Sequence, residues 1–116
     1  MNYLAENFIR ETLRKTKYEA TSRRNLEFSL TVEQVLDILK IQNGKCALTG
    51  WDLEFTRGGT MGGRNPHGCT LDRKDNSKGY TKDNVQLVCC RVNVMRSNLS
   101  IEDFTNLCRA VANQMI

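Results

Sequence analysis

Three features of this 116-residue chain predict an α+β fold, a small ββα core with helices packed around it. Residues 69–96 run from a segment with alternating apolar residues, through a turn cluster, into a second apolar run and a helix-compatible stretch. A basic amphipathic pattern precedes this unit. Two marked helix starts, at Thr31 and Ser100, flank it. At this length the chain is one domain with a modest core. A hydrophobic share of 40% and a charged share of 26% are those of an ordinary soluble globular protein.

In chain order, residues 2–24 read as the first helix. Leu4 with Phe8 and Ile9 with Leu13 are apolar pairs at i,i+4, and arginines and lysines occupy the other faces. Leu26, Phe28 and Leu30 alternate with polar residues, as an extended link to the core does. Thr31 is a suitable N-cap for the second helix, Gln34 completes a capping box, and Leu30 can staple onto Val35. Val32, Val35, Leu36 and Leu39 form its buried face, and Gly44 after Asn43 ends it. Residues 55–68 (FTRGGTMGGRNPHG) are glycine-rich and hold the only proline, so a flexible surface loop is expected.

Cys69 and Leu71 mark the first strand, residues 75–79 the turn cluster, and residues 85–88 the second strand. Over residues 89–97 a helix would bury Val92 and Met95 and leave Arg91 and Arg96 facing outward. Ser100 caps the last helix, Glu102 and Asp103 complement its dipole, and Leu99 can staple to Phe104. Phe104, Leu107, Cys108 and Val111 are its expected buried stripe.

The net charge of +4 leans basic, and its distribution is more informative than its sum. Arg10, Arg14, Lys15, Lys17, Arg23 and Arg24 load the N-terminal segment. Arg57, Arg64, Arg73, Lys74, Lys78, Lys82, Arg91 and Arg96 surround the acidic Asp72, Asp75 and Asp83. Basic clusters around an acidic pocket suit a polyanion handled through a metal ion. No stretch is apolar enough for a signal peptide or a membrane span. Five cysteines without export features point to reduced thiols in a cytoplasmic setting, the host cytoplasm if the chain is phage-encoded.

The motif residues carry a resemblance. Asp72-Arg73 closes the first strand, Asn84 ends the GYTKDN loop, and Asn93 lies nine positions further on the helix. This arrangement resembles the ββα-metal site of HNH (His-Me finger) endonucleases, in the variety common among phage-encoded and homing-type nucleases. In that family an Asp-His pair ends the strand, an Asn pins the loop, and a His or Asn nine positions later faces the metal. Segments 26–30 (LEFSL) and 44–50 (GKCALTG) read like the family's lead-in. The resemblance therefore implies residues 1–30 as a basic helix and link, and residues 31–116 as an HNH-like domain, together one compact unit.

What the resemblance implies chemically is a phosphodiester hydrolase. Asp72 and Asn93 would be the metal ligands. A carboxylate and an amide oxygen suit one Mg²⁺ or Mn²⁺ ion. Asn84 would tie loop backbone groups together. Arg73 stands where the family has its general-base His; a guanidinium cannot accept a proton near neutrality, but it can clamp a phosphate. His67, Asp75 and Tyr80 are then alternative bases, or water activation proceeds without a side-chain base. The run Asp72-Arg73-Lys74-Asp75 is also similar to the Asp-Arg-Gly-His motif of a related nonspecific nuclease group.

Relatives often hold a structural zinc on two CxxC knuckles. Here the equivalents are Cys46 with Thr49 and Cys89 with Val92, only half the thiolates, so structural zinc is not expected. The expected partner is DNA, double-stranded, contacted through Arg57, Arg64, Lys74, Lys78, Lys82, Arg91 and Arg96, by a monomer or a homodimer. A metal-dependent endonuclease or nicking enzyme of phage or mobile-element type is the leading reading. The alternatives are a catalytically degenerate HNH fold that binds nucleic acid or protein as a regulator, and a small basic structural module.

Overall fold

The computed structural model describes residues 3–115. The elements are α1 (Tyr3–Ser22), α2 (Val32–Ile41), β1 (Cys69–Arg73), a 3-10 turn (Lys82–Asn84), β2 (Val85–Cys89), α3 (Cys90–Arg96) and α4 (Ile101–Met115). β1 and β2 pair antiparallel, with Cys69 opposite Cys89, Leu71 opposite Leu87 and Asp72 opposite Gln86. A two-stranded ribbon alone is marginal in water. Here it shares one core with Ile9 and Leu13 of α1, Val35 and Leu39 of α2, and Val92 of α3. The result is the small α+β ββα arrangement that the sequence predicts.

The expected start of α1 at residue 2 lies outside the described residues. Its buried side chains, Ala5, Ile9, Leu13 and Ala20, follow the apolar spacing of the sequence. The helix stops at Ser22 rather than residue 24. Asn25 takes a left-handed φ of 52°, and the Leu26 amide reaches back to the Ala20 carbonyl at 2.8 Å. The link that follows is held to the site loop. Phe28 bridges Tyr80, the Tyr80 amide donates to the Glu27 carbonyl (2.8 Å), and the Ser29 amide donates to the Tyr80 carbonyl (3.0 Å). Gly79 is required at this crossing, because a Cβ there would lie 2.4 Å from the Glu27 carbonyl oxygen.

α2 begins with the full capping box: Thr31 Oγ1 accepts from the Gln34 amide, and Gln34 Oε1 accepts from the Thr31 amide. At its other end, Gln42 acts as a pseudo-strand. Its side chain accepts from the Leu87 amide and donates to the Leu87 carbonyl, satisfying the outer edge of β2.

Two expectations about the C-terminal half are corrected. In α3, Val92 is buried but Met95 is exposed. In α4 only Phe104 of the expected stripe is buried, with Leu107, Val111 and Met115 exposed at 52%, 57% and 80% and Cys108 also exposed. The physical reason is geometric: α1, α2 and α3 already close the core, so α4 contributes its first turn and projects beyond it. Ser100 Oγ does cap it, accepting from the Asp103 amide at 3.0 Å. Accordingly, Leu107→Gln is expected to change stability by no more than about 0.5 kcal/mol in urea denaturation, as at an ordinary surface position.

Candidate functional site

The loop between β1 and β2 is organised by Asn84, which is buried where the loop closes. Its Oδ1 accepts from the Asp75 amide (2.9 Å), and its Nδ2 donates to the carbonyls of Asp75 (3.1 Å) and Gly79 (2.9 Å). One amide side chain thus satisfies both ends of the turn. Arg73, also buried, grips the same loop from beneath. Its Nη1 donates to the carbonyls of Asn76 (2.6 Å) and Lys78 (2.9 Å), and its guanidinium lies 5.5 Å from the centre of the Tyr80 ring. At position 73, expected as a phosphate clamp, Nη1 is committed to the loop while the side chain also lines the polar cavity beside Asp72.

Asp72 lies 4% exposed at the end of β1, and its neighbours explain how a carboxylate stays there. Oδ1 receives Nη1 of Arg96, and Oδ2 receives Nε2 of Gln86 from the opposing strand (2.9 Å). Arg96, 1% exposed, is the largest fully buried side chain. It also donates to the carbonyls of Arg73 (2.8 Å) and Leu99 (2.9 Å). Arg96 is thus corrected from an outward-facing DNA contact to the internal counter-ion of Asp72. α3 is only two turns long, so its last residue folds back over the hairpin end rather than projecting into solvent.

Asn93 sits mid-way along α3 and points at β1. Its Nδ2 donates to Thr70 Oγ1 (2.9 Å), leaving Oδ1 without a hydrogen-bond partner among the described residues. Asp72 and Asn93 line the same cavity, of about 240 Å³, together with Arg24, Arg73, Asn76 and Tyr80. The geometry therefore brings together Asp72, Arg73 and Asn93, with Asn84 shaping the loop.

The alternative bases are placed differently. His67 precedes β1 and stacks on Trp51, with ring centres 5.3 Å apart. It lies in the turn before β1 and is not among the residues that line the cavity. Asp75 is exposed; its carboxylate accepts from the hydroxyl and amide of Ser77, which hold its pKa below the usual carboxylate range. Tyr80 does line the cavity.

The remaining basic residues are distributed around this centre. Lys74, Lys78, Lys82, Arg64 and Arg91 are exposed. Arg57 is docked on α1, over the Phe8 ring at 4.3 Å and beside Glu11 at 3.5 Å, rather than free on a mobile loop. With Arg64 it borders a separate cavity of about 290 Å³ beneath the glycine-rich loop.

The two knuckle positions face each other. The Cys89 amide donates to Cys46 Sγ at 3.3 Å, with both thiols buried. Burial raises the Cys46 pKa, but hydrogen bonds from Thr49, Cys89 and Leu48 outweigh it and the thiol ends below its ordinary value. Neighbouring Cys69 is pushed up to about 12, by burial first and by Cys46 second. With Thr49 and Val92 in the other two positions, these thiols pack as small core groups.

Gln86, Thr70 and Arg24 were missed in the sequence. Gln86 was accessible in principle, since the antiparallel register sets it opposite Asp72. Thr70 and Arg24 carry no comparable local signal.

Strand, pinned loop, strand and crossing helix, with an acid and an amide converging on one polar cavity, define the HNH-type ββα fold. Among solved structures, the chain is similar to the rare-cutting HNH restriction endonuclease PacI, described for an extraordinary mechanism of DNA perturbation. The TM-score is 0.64 at 19% identity, covering 91% of this chain and 78% of that one. No protein-family model and no curated protein matches the sequence. No helix among the described residues is long and apolar enough to cross a membrane.

Proposed function

We propose that the chain is a metal-dependent DNA endonuclease or nicking enzyme. The observation that carries this reading is the shared cavity of Asp72 and the unpartnered Oδ1 of Asn93. The donor set fits a hard cation. A carboxylate has about four lone-pair sites, so one bond each from Arg96 and Gln86 leaves sites open on both oxygens. Asp72 and Asn93 would hold Mg²⁺ or Mn²⁺. Such an ion supplies positive charge for the leaving oxygen and makes water a better nucleophile.

The chain's own residues have separable tasks. Arg96 and Gln86 fix the Asp72 carboxylate, Thr70 orients Asn93, and Asn84 with Arg73 keeps the loop wall rigid. Tyr80 borders the cavity and is the base candidate that the fold brings to it. Exposed Lys74, Lys78, Lys82 and Arg91 suit contacts to the backbone of double-stranded DNA, which give affinity and salt dependence without sequence preference.

Nicking of a supercoiled plasmid with Mg²⁺ or Mn²⁺, with and without EDTA, tests the reading. Metal-dependent nicking is expected, reduced at least about 100-fold in Asn93→Ala. That variant should stay folded, because it loses one good hydrogen bond, to Thr70, worth about 1 kcal/mol. DNA retardation without cleavage under either metal would overturn the enzyme reading and favour a degenerate binding module. Arg73, spent on loop carbonyls at the family's base position, is the feature that favours this second reading.

A further inference from the structure

The polar cavity beside Asp72 holds one guanidinium that the fold does not use for itself. Arg73 has committed Nη1 to the Asn76 and Lys78 carbonyls. Arg96, behind Asp72, is consumed by that carboxylate and by backbone carbonyls. Arg24 also lines the cavity, is exposed, and its side chain has no ion pair or hydrogen bond among the described residues.

Its placement is fixed by the backbone around it. The left-handed Asn25 and the Leu26-to-Ala20 hydrogen bond turn the chain sharply just after Arg24. Within four residues the link is fastened to Tyr80, itself a wall of the cavity, by the Glu27, Phe28 and Ser29 contacts. Gly79 allows that approach. Arg23, one residue earlier, borders a groove shared with Glu19 and Arg24 and, unlike Arg24, does not line the cavity.

We infer that Arg24 is a substrate-binding residue that grips the phosphate being attacked. The inference rests on the nuclease reading and places a phosphate clamp at the end of α1. Five N–H donors in a planar fork match phosphate oxygens, and an arginine with no internal acceptor is available to an entering phosphodiester. With Asp72 already neutralised by Arg96, that phosphate meets a cavity whose unspent charge is positive.

The test compares wild type with Arg24→Ala, Arg24→Lys and Arg23→Ala in plasmid nicking and in DNA binding across a salt series. Arg24→Ala should lower kcat/KM about 100-fold. Arg24→Lys should recover part of that loss, and Arg23→Ala should stay close to wild type. The salt slope of binding should fall by about one for Arg24→Ala. Nicking by Arg24→Ala at the rate of Arg23→Ala, with wild type active, would overturn the assignment while leaving the nuclease reading intact. Should wild type bind DNA without cutting it, the nuclease reading fails alone and Arg24 is judged by binding. A reduced slope then supports the phosphate contact, and an unchanged slope overturns it. Absence of DNA binding by wild type overturns both.

Discussion

Replacing Arg96 with methionine will destabilise the protein by about 3–5 kcal/mol, because it leaves the Asp72 carboxyl group, 4% exposed, without its counter-ion. Methionine roughly fills the aliphatic volume, so the loss is electrostatic and hydrogen-bonding rather than a cavity. Two components can be separated. One is the ion pair, removed symmetrically by Asp72→Asn with Arg96→Met. The other is the set of carbonyls on Arg73, Lys74 and Leu99 that lose the guanidinium, Leu99 keeping a contact from Asn76. The double variant should recover the first and not the second, remaining about 1–3 kcal/mol below wild type. Urea denaturation of the two singles and the double measures this. A double variant as stable as wild type would mean that the carbonyl contacts contribute nothing. A single variant costing under about 1 kcal/mol would mean that the buried pair is not formed in solution.

This pair also shows how far the sequence could be read. Alternation placed both strands, apolar spacing and a capping box placed α2, and Asp72 and Asn93 line one cavity while Asn84 pins the loop. These are local signals: alternation, a cap, an offset along one helix. Arg96 was misread for a physical reason. On a two-turn helix, periodicity does not say which side is solvent, and a guanidinium is ordinarily an outside group. Only the tertiary return of α3 over the hairpin end makes it the largest of the fully buried side chains. The stripe on α4 failed in the opposite sense, since an apolar helical face predicts burial only where something lies opposite it. His67 and Arg24 turned on distance across the fold. The single histidine is a base candidate by residue type, but its place before β1, against Trp51, leaves it outside the cavity lining. Arg24 looked like one member of a basic tract, although its position above the cavity is what separates it from Arg23.

Asn84 carries the second large effect, and its chemistry allows a sharper test than removal alone. Asn84→Ala leaves the Asp75 amide and the Gly79 carbonyl without their partner in a buried setting, and the Asp75 carbonyl with the Lys78 amide as its remaining donor. A cost of about 2–4 kcal/mol follows from three lost bonds with partial rehydration of the loop. Asn84→Asp is nearly isosteric and keeps an acceptor for the Asp75 amide. It also turns the donor into a carboxylate oxygen facing two carbonyls, so at neutral pH it should be no more stable than the alanine variant. Protonating that carboxyl restores one donor. The aspartate variant alone should therefore gain stability relative to alanine as pH falls through its pKa, which burial among carbonyls raises above the usual value. In sign terms, the folded state binds the proton more tightly than the unfolded state, so stability is present at low pH and lost on raising it. Thermal melts of both variants between neutral and mildly acidic pH read this directly. Parallel curves would show that Asn84 is only filling space, and the loop wall beside Tyr80 and Arg73 would then need another source of rigidity.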